Sequence, residues 1–112
     1  MTTETKTTVS RNDIFKVVSD AWCAGASRGN CWVAVRIGTD GSIYRSMEAS
    51  PCMSEAEYFG RKPHTVTVWS HQFCSSISED EVESNREYMD DEWFSRECED
   101  LDITATGCEL VD

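Results

Sequence analysis

Cys31-Trp32-Val33-Ala34-Val35-Arg36-Ile37-Gly38-Thr39-Asp40-Gly41-Ser42-Ile43-Tyr44-Arg45-Ser46-Met47 decides the fold. Cys31, Val33, Val35 and Ile37 alternate with Trp32, Ala34 and Arg36, the period of a strand with one apolar face. Gly38-Thr39-Asp40-Gly41 is turn chemistry, and residues 42–47 alternate again through Ile43, Arg45 and Met47. Two alternating runs around Asp-Gly read as an antiparallel hairpin.

Upstream, Ser10-Arg11-Asn12-Asp13 resembles a capping box, in which side chains satisfy the free N–H groups of a first helical turn. Ile14, Val17, Val18, Ala21 and Trp22 follow at helical spacing, and Gly25, then Ser27 and Gly29, end the run, glycine tolerating the left-handed conformation that closes a helix, so a helix is expected over 11–24. Residues 1–9 are Thr-rich and are expected to be a flexible N-terminus, leaving 10–112 as a single domain.

Downstream, residues 48–63 are read as a connection with a short helical turn capped by Ser54, ended by Pro63. Residues 64–70 are β-branched and read as a third strand, Val66 and Val68 on one face and Thr65, Thr67 and Trp69 on the other. After a polar loop, Ser78-Glu79-Asp80-Glu81 repeats the S-x-x-E pattern. It opens a helix expected over 79–95 that buries Val82, Met89 and Trp93 and breaks or bends near 94–97. Residues 103–111 alternate weakly and suggest a last strand, with Gly107 as a bend. The expected fold is α+β in the order α-β-β-(short α)-β-α-β: a small antiparallel sheet of three to four strands with two amphipathic helices on one face. Val17, Val18, Val33, Val35, Val66, Val68 and Met89 are the expected core.

The 112 residues allow one domain, and 21 acids against 10 Lys and Arg give a formal net charge of −11. That charge is unevenly placed. Residues 1–78 carry eight Lys/Arg and seven acids, a net of +1, whereas residues 79–102 carry twelve acids and two arginines, a net of −10. Such an excess makes direct binding to nucleic acid or anionic lipid unfavourable, since phosphates would repel it. The longest apolar runs are too short for a membrane span. The first residues contain no apolar stretch like a signal peptide, so a protein of the (host) cytoplasm is expected.

Within the acidic stretch, Asp80, Glu83, Glu87, Asp90 and Asp91 fall in one sector of roughly 100° on a continuous helix, away from Val82, Met89 and Trp93. Spacings of three and four put neighbouring carboxylates about 5–6 Å apart, similar to the phosphate spacing along a nucleic-acid strand. These five are the candidate partner-binding residues, and a solvated helix face is the plain alternative.

Other chemistries are less specific. Cys23, Cys31, Cys52, Cys74, Cys98 and Cys108 include no C-x-x-C pair. They are expected to be reduced thiols, although His71, Cys74, Cys98 and Cys108 would together make four zinc ligands. Cys74 with His71 or His64 and a carboxylate would make a triad on paper, an arrangement that six cysteines and 21 acids permit in any small protein. No dinucleotide, P-loop or zinc-protease motif is present. No cofactor, metal or catalytic residue is therefore assigned.

In size, charge and carboxylate stripe the chain resembles the small acidic nucleic-acid mimics of phages and mobile elements, the anti-CRISPR and anti-restriction type. The resemblance lies in residues 79–102 and in no shared motif. It implies a non-enzymatic inhibitor that binds a basic nucleic-acid-binding protein, with nothing implied about oligomeric state. The competing readings are an interaction or regulatory module that binds through a sheet face bearing Trp32, Tyr44 and Trp69, and a small Cys/His or metal-dependent enzyme.

Overall fold

A computed structural model describes residues 7–48, 65–99 and 101–112. The described elements run β1 (Thr8–Ser10), α1 (Arg11–Arg28), β2 (Cys31–Gly38), β3 (Ile43–Glu48), β4 (Thr65–Phe73), α2 (Glu79–Glu87), α3 (Asp91–Glu97), a 3-10 turn (Thr104–Thr106) and β5 (Glu109–Val111). The protein is α+β. The expected helical turn capped by Ser54 lies outside the described residues, as do Cys52 and His64.

The hairpin forms as its alternation requires. β2 pairs antiparallel with β3, Ile37 opposite Ile43 and Val33 opposite Met47. At the turn the Gly38 N–H donates to the Ser42 carbonyl at 2.9 Å, and Asp40 Oδ1 accepts from the Ser42 N–H at 3.0 Å. Gly41 sits at φ +85°, a conformation open to glycine without strain. β4 pairs antiparallel with the other edge of β2, giving the sheet order β3-β2-β4.

One face of this sheet meets α1. Cys31, Val33, Val35 and Ile37 are fully buried against Ile14, Val18 and Ala21 of the helix. The helix is longer than expected, running to Arg28, because Gly25 continues it instead of ending it. A Cβ on Gly25 would lie 2.6 Å from the Phe73 ring and 2.7 Å from Val33 Cγ1, so hydrogen is what lets α1 lie this close to the sheet. Gly29 closes the helix, its N–H bonded to the Gly25 carbonyl at 2.9 Å.

Three expectations are corrected. In β4, Trp69 pairs with Val35 and Thr67 with Arg36, so Val68 is the extra residue of a bulge. The bulge reverses the alternation. Val66 and Trp69 both fall on the side of Ile37 and Val35, and Trp69 is buried on the face opposite to the expected one. Of the seven expected core residues, Val18, Val33, Val35 and Met89 are buried, while Val17, Val66 and Val68 are half-buried. At the N-terminus, Thr8 and Val9 are not a free tail. They pair in parallel with Glu109 and Leu110 of β5, and Val9 is buried. The final segment turns through a 3-10 helix before this short strand, with Gly107 at φ +79° as the bend.

The third correction is the acidic helix. It does not run from 79 to 95: α2 ends at Glu87, and α3 starts afresh at Asp91. Asp90 Oδ1 accepts from the Trp93 N–H at 3.0 Å, so this aspartate caps a new helix and does not continue the old one.

Candidate functional site

Ser78 caps α2 as its pattern predicts, its Oγ accepting from the Glu81 N–H at 3.2 Å. Glu79, Asp80 and Glu81 in the first turn complement the positive end of the helix dipole. Val82 is the one buried residue of α2, and Met89 in the link is also buried. Met89 Sδ accepts from the Ser19 hydroxyl at 3.3 Å, which ties the link to α1. α3 is held more firmly: Phe94 is buried edge-on to Phe15 at 5.1 Å between ring centres, and Trp93 meets the same ring at 6.4 Å. Cys98 follows beneath, its thiol pushed up to about 12 by burial, reinforced by Glu97 and opposed by Arg11.

This apolar underside leaves the acids outside. Glu79, Asp80, Glu81, Glu83, Glu87, Asp90, Asp91, Glu92, Glu97, Glu99 and Asp102 are all exposed. Asp102 is engaged locally. Its Oδ1 accepts from the Thr104 N–H at 2.8 Å and from the Thr104 hydroxyl, bonds that hold its carboxyl below the ordinary range.

The five residues expected to form one stripe are divided by the break. Asp80, Glu83 and Glu87 lie on α2, Asp91 opens α3, and Asp90 is committed to its cap. Glu83 is also engaged: Arg86 Nε lies 3.9 Å from its Oε1, and Arg86 Nη1 lies 3.5 Å from Asp20 Oδ1 of α1. These pairs are about half-exposed or more, so each contributes at most about 1 kcal/mol. The acids are thus divided between two helical segments and do not form one continuous helical row.

Sequence reasoning missed Tyr88. It lies in the link between the two helices and is 74 % exposed, more than any other described large hydrophobic residue. The signal was available, since Tyr88 stands about 240° around a helix from Val82, well off the buried line.

Two cavities flank this segment. One, of about 290 Å³, lies where Arg11 and Phe15 of α1 face Asp91 and Phe94 of α3. The other, of about 410 Å³, lies between α1, β3 and α2, with Arg45 and Arg86 among Asp20, Glu79 and Glu83 over Cys23 and Val82. Both mix the two signs of charge.

The four-ligand zinc set is not assembled. His71 stacks parallel on Trp69 and meets the Phe73 ring edge-on at 4.4 Å. Cys74 is exposed, whereas Cys98 and Cys108 are buried. Cys108 Sγ donates to the Thr39 carbonyl at 3.6 Å. Among the described residues, no three His, Cys, Asp or Glu side chains are grouped so as to hold a metal ion. The supposed aromatic sheet face is also divided: Trp69 lies on the α1 side, and Trp32 and Tyr44 lie on the other with Arg36. Arg36 is buried there and donates from Nε to Thr65 Oγ1 at 2.7 Å and from Nη1 to Thr67 Oγ1. Among the described residues no helix is long and apolar enough to cross a membrane. Comparison with protein-family models, with curated proteins and with solved structures finds no match.

Proposed function

We propose that this protein is an inhibitor that binds a basic nucleic-acid-binding protein, its acidic segment occupying the channel that phosphates would otherwise fill. The observation that carries this reading is the exposure of every described acid between residues 79 and 102, on helices whose apolar residues are few and turned inward. Like charges on a helix surface repel by a few tenths of a kcal/mol per close pair. A fold that needed only solubility would mix signs there.

Asp80, Glu87 and Asp91 carry the most weight, since Glu83 shares its charge with Arg86 and Asp90 with its cap. A phage or mobile-element counter-defence protein of the anti-CRISPR or anti-restriction type is the setting this chemistry fits. The division of Trp32, Tyr44 and Trp69 between two faces counts against the alternative of an aromatic sheet surface.

Capture from host lysate on the immobilised protein, at low and at high salt, followed by mass spectrometry, tests the reading. A phosphate mimic retains a basic nucleic-acid-binding protein whose capture falls steeply with salt and which competing nucleic acid releases. A partner held equally at both salt concentrations, and not released by nucleic acid, contradicts it.

A further inference from the structure

Cys23 is buried on the side of α1 that faces away from the sheet. At 3.6 residues per turn it stands about 180° around the helix from Ile14, opposite the face that Ile14, Val18 and Ala21 turn to the core. Its cover there is α2. Val82, Glu83 and Arg86 of α2 line the hollow of about 410 Å³ together with Cys23, whose side chain is only 3 % exposed. Burial pushes this thiol up, opposed by the Arg86 guanidinium beside it.

The hold of α2 on α1 is slight. Of its nine residues Val82 alone is buried. The helix carries five acids against Arg86, a net of −4, and Asp20 of α1 faces it across the hollow. Among the described residues Arg86 makes the one ion pair between the two helices, its Nη1 3.5 Å from Asp20 Oδ1, and its Nε lies 3.9 Å from Glu83 Oε1. The chain on either side is tied down more firmly. Before α2, the Ile77 N–H donates to the Ala26 carbonyl at 3.0 Å. After it, Met89 is buried and accepts from the Ser19 hydroxyl at 3.3 Å. A nine-residue helix does not persist in water by itself, so releasing Val82 and Arg86 melts all of α2 between these two fixed points. Segments with few buried contacts open at a small fraction of the free energy that unfolds the core.

We propose that α2 is a strap over Cys23, latched by Arg86, that opens between its anchors at Ile77 and Met89 while the α1–sheet layer stays folded. The inference concerns how the acidic surface is held and goes beyond the question of what that surface binds. Opening parts Asp80, Glu83 and Glu87 from Asp91 and frees Asp20 and Glu83 from Arg86. A cationic group that pairs with those two carboxylates competes with Arg86 and so shifts the population towards the open strap.

Labelling of the full-length protein with iodoacetamide, read by mass spectrometry of each cysteine peptide, tests the proposal. Rates are measured where they are proportional to reagent, and each is divided by that of the same peptide in denaturant. Exposed Cys74 gives the unshielded limit, and Cys31, fully buried in the core, reports global unfolding. Cys23 is expected to label at least about tenfold faster than Cys31 and at least about tenfold slower than Cys74, and amide exchange over residues 82–87 should give the same opening equilibrium. Val35→Ala weakens the layer common to both states of the strap, so it should speed Cys31 about tenfold or more and leave Cys23 within about twofold of the parent. Arg86→Gln should speed Cys23 labelling and α2 amide exchange together, by about threefold or more. Cys23 labelling at the rate of Cys31, or sped equally by Val35→Ala, shows that α2 leaves only when the whole fold does and overturns the strap. Cys23 labelling like Cys74 shows that α2 does not cover it and overturns it too. Parent rates in Arg86→Gln remove the latch and contradict the proposal as stated.

Discussion

The α1–sheet layer and the acidic segment treat their side chains in opposite ways. In β2 seven of eight residues are buried, and α1 approaches so closely that one position admits no Cβ. Between residues 79 and 99 only Val82, Met89, Phe94 and Cys98 are buried, and each described acid faces water. The first region uses almost every residue for packing. The second is anchored by a few apolar side chains and leaves the rest in water. A change of charge in one should therefore unfold the protein, and in the other should leave it folded.

Val35→Asp is the strongest way to break this comparison. It places an unpaired carboxylate at a fully buried position between α1 and the sheet, which should cost several kcal/mol and remove the cooperative melt. A normal melt would mean that the burial of this strand is wrongly described. Gly25→Ala sharpens the same point. The better helix propensity of alanine, worth about 1 kcal/mol, is opposed by overpacking against Phe73 and Val33, worth roughly 1–3 kcal/mol. Net destabilisation in a denaturant titration is expected, and a more stable variant would show that α1 stands further from the sheet.

At the junction between the two regions the expected effects are smaller. Asp90→Ala removes the cap of α3 and should cost about 1 kcal/mol, whereas Asp91→Ala next to it should cost far less. Equal effects would mean that the two helices run together. The buried Cys98 gives a pH signature. Its folded-state value of about 12 stands above the ordinary thiol value of 9.0, so above pH 9 the unfolded chain releases its proton first. The contribution of this thiol is fully present below pH 9 and is lost as pH rises towards 12. Cys98→Ala, less stable at neutral pH, should show a shallower alkaline decline than the parent; a parallel decline would place the thiol in water.

The hairpin, α1 and the cap at Ser78 were legible because each rests on a local pattern: period two around Asp-Gly, an apolar stripe, and S-x-x-E. The bulge at Val68 was not, since an inserted residue changes which face Trp69 occupies without changing the composition of the strand. The break at 88–90 was hidden for a related reason. Val82, Met89 and Trp93 keep helical spacing across it, so the apolar line reads as continuous while Asp90 acts as a cap. The β1–β5 pair joins residues about a hundred positions apart, and nothing in Thr8-Val9-Ser10 points to Glu109-Leu110-Val111. For the site, the sequence located the acidic segment and all five carboxylates on an exposed surface. It overstated their alignment and passed over Tyr88.

The account rests on the acidic segment being free of folding duties, and one paired measurement tests this directly. Asp80→Asn, Glu87→Lys and Asp91→Asn together remove three carboxylates and add one cation, a shift of +4 in net charge. The lysine introduced in place of Glu87 would lie at the end of α2, where a cation suits the dipole, and the first-turn charge given up at Asp80 and Asp91 is offset by relief of like-charge repulsion. Melting temperature and partner capture at physiological salt are then measured on the same sample. The account predicts a melt equal to or slightly above that of the parent, with capture reduced at least about tenfold, as three carboxylates worth up to about 1 kcal/mol each imply. A lowered melt, or a partner retained as tightly as by the parent, would contradict it.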